Sequence, residues 1–140
     1  MSIDQNQFTR NDGNAIFLGG YSRGVNITAN DFNWIGDSVI AAFGWTSHCL
    51  HADCVVKLPA KVGPDGRGGE QPRGAYIAGN LMREFGIWQK QSSALFMAIS
   101  ALFTFESNVV FNGPRAAIVS THSVSPLLTN SQCQRRNGLI

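Results

Sequence analysis

The sequence predicts an all-β solenoid of about four coils. Three observations lead there: a recurring six-residue pattern, its spacing along the chain, and a composition rich in turn residues but poor in charge. The pattern reads apolar, x, x, Asn, x, apolar. It occurs as Ile3-Asp4-Gln5-Asn6-Gln7-Phe8, as Ile27-Thr28-Ala29-Asn30-Asp31-Phe32, as Ile77-Ala78-Gly79-Asn80-Leu81-Met82, and as Phe105-Glu106-Ser107-Asn108-Val109-Val110. Successive asparagines are 24, 50 and 28 residues apart, so one coil carries a long insertion and another a short one. Periods in the twenties with short alternating strands are the mark of coils that bury their apolar faces only against neighbours. The 15 Gly and 5 Pro, with 14% charged and 44% hydrophobic residues, fit a turn-rich folded β protein and exclude a disordered tail or charged coiled coil.

The elements follow in order. Each copy leads through a turn to a second apolar segment: Ala15-Ile16-Phe17, Val39-Ile40-Ala41, Ala94-Leu95-Phe96 and Ala117-Ile118. Asn at the turn tolerates the left-handed backbone, and its amide can bond the Asn one coil away, about 4.8 Å along the axis, to form an internal ladder. Ile3, Phe8, Ile27, Phe32, Ile35, Ile77, Met82, Phe85, Phe105 and Val110 then point inward as stacked rows, which makes most aromatics core. Residues 94–105 read as two strands broken near Ser100-Ala101, because the repeat requires strands there; a buried helix is the alternative, since a short apolar run hides its period. Residues 46–71 lose periodicity and contain Gly63-Pro64-Asp65-Gly66-Arg67-Gly68-Gly69, a loop thrown out of the second coil. The solenoid is expected over residues 1–118, with a loose polar tail over 119–140.

Net charge is +2, with no Lys/Arg run longer than Arg135-Arg136, so the footprint of nucleic-acid binding is missing. No apolar stretch approaches the roughly 20 residues that span a bilayer, so no membrane segment is expected. No secretory signal is recognisable at the start, and the compartment is left open. His48-Cys49-Leu50-His51-Ala52-Asp53-Cys54 matches no familiar zinc spacing. Its residues read as a soft-metal site, a small disulfide or incidental loop residues, and no metal site is nominated. The chain has no nucleophile elbow, phosphate-binding Gly loop or His-Glu-x-x-His, and no cofactor is expected.

Four segments carry a family resemblance: Asn30-Asp31-Phe32-Asn33-Trp34-Ile35-Gly36-Asp37-Ser38; Gln71-Pro72-Arg73; Glu84-Phe85-Gly86-Ile87-Trp88-Gln89-Lys90-Gln91-Ser92-Ser93; and Phe111-Asn112-Gly113-Pro114-Arg115-Ala116. In residue type and order they resemble right-handed parallel β-helix proteins of pectin-lyase-like fold. The resemblance covers roughly residues 1–118, and residues 86–93 and 112–115 are its most specific part. It implies a right-handed helix and a polysaccharide ligand, with an extracellular setting for the full-length protein. Relatives continue with further glycine-rich coils where this chain reads Ile118-Val119-Ser120-Thr121-His122. They also carry polar residues at the positions of Met97 and Ile99. The resemblance therefore implies a fragment truncated at both ends, with a blunted polar groove.

If active, such a chain would be a polysaccharide lyase or a glycoside hydrolase. A lyase needs a base beside the uronic carboxylate and a cation for the developing enolate. Lys90 and Arg115 are the candidate cations, Glu84 and Asp37 the candidate base or acid, and Arg83, Gln91 and Trp88 the candidate substrate contacts. Glu84 and Asp37, one coil apart, are also the only carboxylate pair suited to a hydrolase. The rival reading is a structural or adhesive solenoid, in which these groups are scattered. An uncapped solenoid exposes strand edges, so the isolated chain is expected to self-associate at micromolar concentration; sedimentation showing a compact monomer would contradict this.

Overall fold

The computed structural model describes residues 1–44, 71–121, 127–129 and 131–135. Among these residues every regular element is a strand, and every strand pairing is parallel. The first coil comprises β1 (Ser2–Asp4), β2 (Gln7–Asn11) and β3 (Ile16–Gly19). The second comprises β4 (Asn26–Thr28), β5 (Asp31–Ile35) and β6 (Ile40–Phe43). The third comprises β7 (Tyr76–Ala78), β8 (Leu81–Arg83) and β9 (Leu95–Ala98), and the fourth β10 (Thr104–Glu106), β11 (Val109–Gly113) and β12 (Ile118–Thr121). Each coil gives one strand to each of three sheets, ordered β1-β4-β7-β10, β2-β5-β8-β11 and β3-β6-β9-β12. The chain is a parallel β-solenoid of about four turns. No helix among the described residues is long and apolar enough to cross a membrane.

The expected asparagine ladder is present. Asn30 Oδ1 accepts from the Asn6 backbone N–H at 2.9 Å and from Asn6 Nδ2 at 3.3 Å. Asn80 Oδ1 accepts from the same two groups of Asn30, each at 3.0 Å, and Asn108 Oδ1 from those of Asn80, each at 2.9 Å. Each Nδ2 also donates to a carbonyl one coil back: Asn30 to Ile3, Asn80 to Ile27 and Asn108 to Ile77. Asn30, Asn80 and Asn108 are all buried, and a buried amide persists only when so satisfied.

One part of the expectation is corrected. The left-handed residue at this corner is the one before each asparagine: Gln5 (φ 55°), Ala29 (53°), Gly79 (64°) and Ser107 (52°). The asparagine is selected for its amide, and the residue preceding it makes the bend. Two further corners repeat the device, at Gly24, Gly74 and Leu102, and at Arg10, Trp34, Glu84 and Asn112.

Registered rows fill the interior. Ile3, Ile27, Ile77 and Phe105 stack along the first sheet, and Phe8, Phe32, Met82 and Val110 along the second. Ile16, Ile40, Leu95 and Ile118 stack along the third. Phe8 and Phe32 stack ring on ring, 4.8 Å between centroids and 11° from parallel. Residues 94–105 form two strands, β9 and β10, and not a helix, with Ile99 and Leu102 in left-handed conformation at the break. Met97 is 1% exposed and points into the core beneath Ala42, so its apolar character fills volume and does not blunt a surface groove.

The loose tail is a second correction. Strand β12 runs to Thr121, and β13 (Leu127–Thr129) and β14 (Gln132–Arg135) extend the first two sheets by pairing with β10 and β11. The pattern was hidden by one substitution, because Ser131 occupies the ladder position and its Oγ accepts from the Asn108 N–H at 3.3 Å. Leu128 and Cys133, in register with Phe105 and Val110, hold the flanking positions of the motif. The loop expected over 46–71 lies outside the described residues except for Gln71. That residue is buried, and its Cα would lie 2.9 Å from a Cβ placed on Gly44, so the chain returns beside the point where it left.

Asn80→Ala removes the acceptor for two Asn30 donors and the donor to Ile27 and Asn108. Each buried group so orphaned costs roughly 1–3 kcal/mol, so the variant should lose several kcal/mol or fail to fold. Asn6→Ala, at the exposed end of the ladder, should cost only about 1 kcal/mol. Urea unfolding of the two variants beside the parent checks the ranking.

Candidate functional site

Besides the long insertion between β6 and β7, the coils differ at the corner between the second and third sheets. Asn11 pairs with Ile35 and Ile35 bridges Phe85, so these three residues mark one level of the corner. Five positions separate Asn11 from Ile16 and Ile35 from Ile40, but ten separate Phe85 from Leu95. The third coil thus carries five extra residues. They fold outward as a turn, with Gly86 N–H donating to Asp37 O and with Trp88 and Gln89 N–H both donating to Gly36 O at 3.0 Å.

This turn leans across the second coil and brings Trp88 beside the first. Trp88, Ile87, Trp34, Arg10, Asn11 and Asp12 line a groove of about 300 Å³. Trp34 is 54% exposed and Trp88 73%. Trp34 faces outward because its left-handed φ interrupts strand alternation, so that Phe32 and Ile35 on either side both point inward. Arg10, Glu84 and Asn112 share that conformation, which makes it a property of the corner. Gly36 is what lets the indole settle: a Cβ there would lie 2.7 Å from Trp88 Cδ1 and 2.0 Å from the Asp12 carbonyl oxygen.

On the other side of the same turn lies a second groove, of about 280 Å³. Asn14, Asp37, Gln89 and Gln91 line it with Phe17 and Phe96. The two grooves share their construction, with Asp12 and Trp88 on one and the nearby Asn14 and Gln89 on the other.

The residues expected from sequence to form a catalytic face divide among these features. Trp88 lines the first groove, Asp37 and Gln91 the second, and Lys90, Arg115, Glu84 and Arg83 line neither. The Lys90 ammonium donates to the Gly86 and Ile87 carbonyls at 3.0 and 2.6 Å and closes the turn from within. Asp37 Oδ1 accepts from the Ser38 N–H at 2.7 Å and from Ser92 Oγ at 2.7 Å, which ties the second coil to the third. Glu84 Oε1 accepts from Asn112 Nδ2 at 2.6 Å, tying the third coil to the fourth. Arg83 faces Asp31 at 3.2 Å, and Arg115 is exposed. Sequence reasoning missed Trp34, Arg10, Asn11 and Asp12. The available signal was Trp34 standing between two inward residues of a strand, where an alternating pattern has no place for a buried indole.

The two most specific motif segments meet in space. A Cβ on Gly113 would fall 2.0 Å from the Phe85 ring, and one on Gly86, itself at φ 65°, would fall 2.4 Å from Pro114 Cγ. With the Glu84–Asn112 bond, residues 84–86 and 112–114 form one interlock between adjacent coils. Their shared sequence character is explained by packing.

Gly36→Ala and Gly113→Ala each insert a methyl where backbone or ring already stands. Overpacking of this kind costs roughly 1–3 kcal/mol. Both should lower the midpoint of thermal unfolding, and Gly36→Ala alone should also shift Trp88 emission, because only that methyl abuts the indole. Equal spectra for the two variants would contradict the placement of Trp88 over Gly36.

No protein-family model, no curated protein and no solved structure matches the chain. The folded architecture and the two grooves are therefore the basis on which function is read.

Proposed function

We propose that this solenoid binds polysaccharide, and that Trp34 and Trp88 are the platform on which sugar rings stack. The observation that carries this reading is the pair of exposed indoles from adjacent coils lining one groove with Arg10, Asn11 and Asp12. Exposed tryptophan is unfavourable in water, and an aromatic face flanked by polar groups suits a ligand that is apolar on its ring faces and hydroxylated at its rim.

Binding without turnover is the form of the reading the geometry favours. A lyase cation should face the substrate, whereas Lys90 is engaged by two carbonyls within its own turn. A general base should have its carboxylate free for the reacting proton, whereas Asp37, though it lines the second groove, accepts from Ser92 of the next coil, and Glu84 accepts from Asn112. The structural-solenoid rival is supported by that same interlocking, and it differs in assigning the tryptophans no ligand.

Intrinsic fluorescence during titration with a panel of plant and microbial oligosaccharides tests the proposal. A saturable change is expected with at least one, and Trp34→Ala and Trp88→Ala should each weaken it about tenfold, the equivalent of one lost stacking contact at roughly 1.4 kcal/mol. No unsaturated sugar product should absorb in the ultraviolet. Binding that ignores both substitutions would favour the structural solenoid, and absorbance growth abolished by Lys90→Ala or Arg115→Ala would restore the enzyme.

A further inference from the structure

We infer, on the basis of the glycan reading above, that the ligand is an uncharged oligosaccharide that crosses the turn at residues 86–91 and occupies both grooves. Charge carries the first half of the inference. Across the two linings there is one cation, Arg10, against two carboxylates, Asp12 and Asp37. Of the other basic groups near this corner, Lys90 donates within its own turn, Arg83 faces Asp31, and the exposed Arg115 lines neither groove. A polyuronate or sulfated chain laid along this path would meet a slightly negative surface, and like charge at close range costs affinity. Hydroxyl groups meet a better match. Asn14, Gln89 and Gln91 offer amides that both donate and accept, and a carboxylate accepts a hydroxyl proton without needing a counter-charge.

Continuity carries the second half. Trp88 and Gln89 are consecutive, so their Cα atoms are about 3.8 Å apart, yet one lines the first groove and the other the second. Each groove lies near the lower end of the roughly 300–1,000 Å³ typical of small-molecule sites, enough for a short stretch of sugar and not for a long one. The second groove repeats the chemistry of the first, with the half-exposed Phe17 and Phe43 supplying ring faces beside the amide groups. A ligand longer than a disaccharide is therefore served by both, and a disaccharide by the tryptophan groove alone.

The test compares neutral hexasaccharides of glucan, xylan and mannan type with hexagalacturonate, at low and high salt, on the full chain. At least one neutral probe should bind tenfold or more tightly than hexagalacturonate at low salt, with the gap narrowing as salt screens the repulsion. Phe17→Ala and Gln91→Ala should weaken the neutral hexasaccharide severalfold and leave the corresponding disaccharide unchanged. Hexagalacturonate binding more tightly, yet still lost in Trp34→Ala, would overturn the uncharged ligand while keeping the glycan reading. Hexasaccharide binding indifferent to Phe17→Ala and Gln91→Ala would overturn the second groove. Absence of binding by every probe, or binding untouched by Trp34→Ala and Trp88→Ala, would remove the glycan reading itself and this inference with it.

Discussion

The asparagine ladder is the interaction on which the rest of the molecule depends. A solenoid corner must turn the backbone sharply, and a sharp turn leaves amide groups with no strand partner in a place where water cannot reach. Asn30, Asn80 and Asn108 resolve this by accepting two hydrogen bonds from one neighbour and donating to a carbonyl of the preceding coil. Because each amide needs the next at hydrogen-bond distance, the ladder holds the coils at the strand-to-strand repeat and in one register. The inward rows follow from that register: Phe32 must lie over Met82, and Ile27 over Ile77, once the asparagines between them are aligned.

A scaffold held so tightly has little freedom to vary except at its corners. The second-to-third sheet corner uses that freedom in the third coil, where five additional residues leave the repeat and return to it between Phe85 and Leu95. Their anchoring explains the polar side chains around them. Lys90 donates to two carbonyls of the turn, Asp37 and Ser92 join the turn's exit to the coil behind, and Glu84 with Asn112 joins its entry to the coil ahead. Rigid support on both sides keeps Trp88 exposed instead of letting it collapse into the core.

The same economy sets the electrostatic character of the surface. Lys90, Asp37 and Glu84 are occupied in holding the turn and the coils together, and the grooves are lined by aromatic rings and amides with Arg10, Asp12 and Asp37 among them. The Arg83–Asp31 pair, about one third exposed on each side, adds little, since such pairs contribute roughly 0–1 kcal/mol. Stability in this molecule comes from buried amides and stacked apolar rows more than from ion pairs.

Much of the architecture was legible in the sequence because a solenoid repeats. Four copies of one six-residue pattern determined the all-β class, the ladder and its alignment with the Phe8, Phe32, Met82 and Val110 row, and the break between β9 and β10. Where the repeat was disguised, reading failed. Ser131 stands for the asparagine of the next coil, so β13 and β14 passed for a tail, although an Oγ serves the same N–H. The left-handed residue was placed on the asparagine because isolated propensity favours it there, whereas the bend belongs to the preceding residue and the amide is reserved for the ladder. The candidate site was less legible still. A sequence shows that Trp34 and Trp88 exist, but their meeting depends on how far a five-residue excursion leans across a neighbouring coil, and that is decided by the space Gly36 leaves open. Periodic contacts are encoded locally and repeat, so sequence determines them; a groove formed by one irregular turn against two coils has no period, and only tertiary packing decides it.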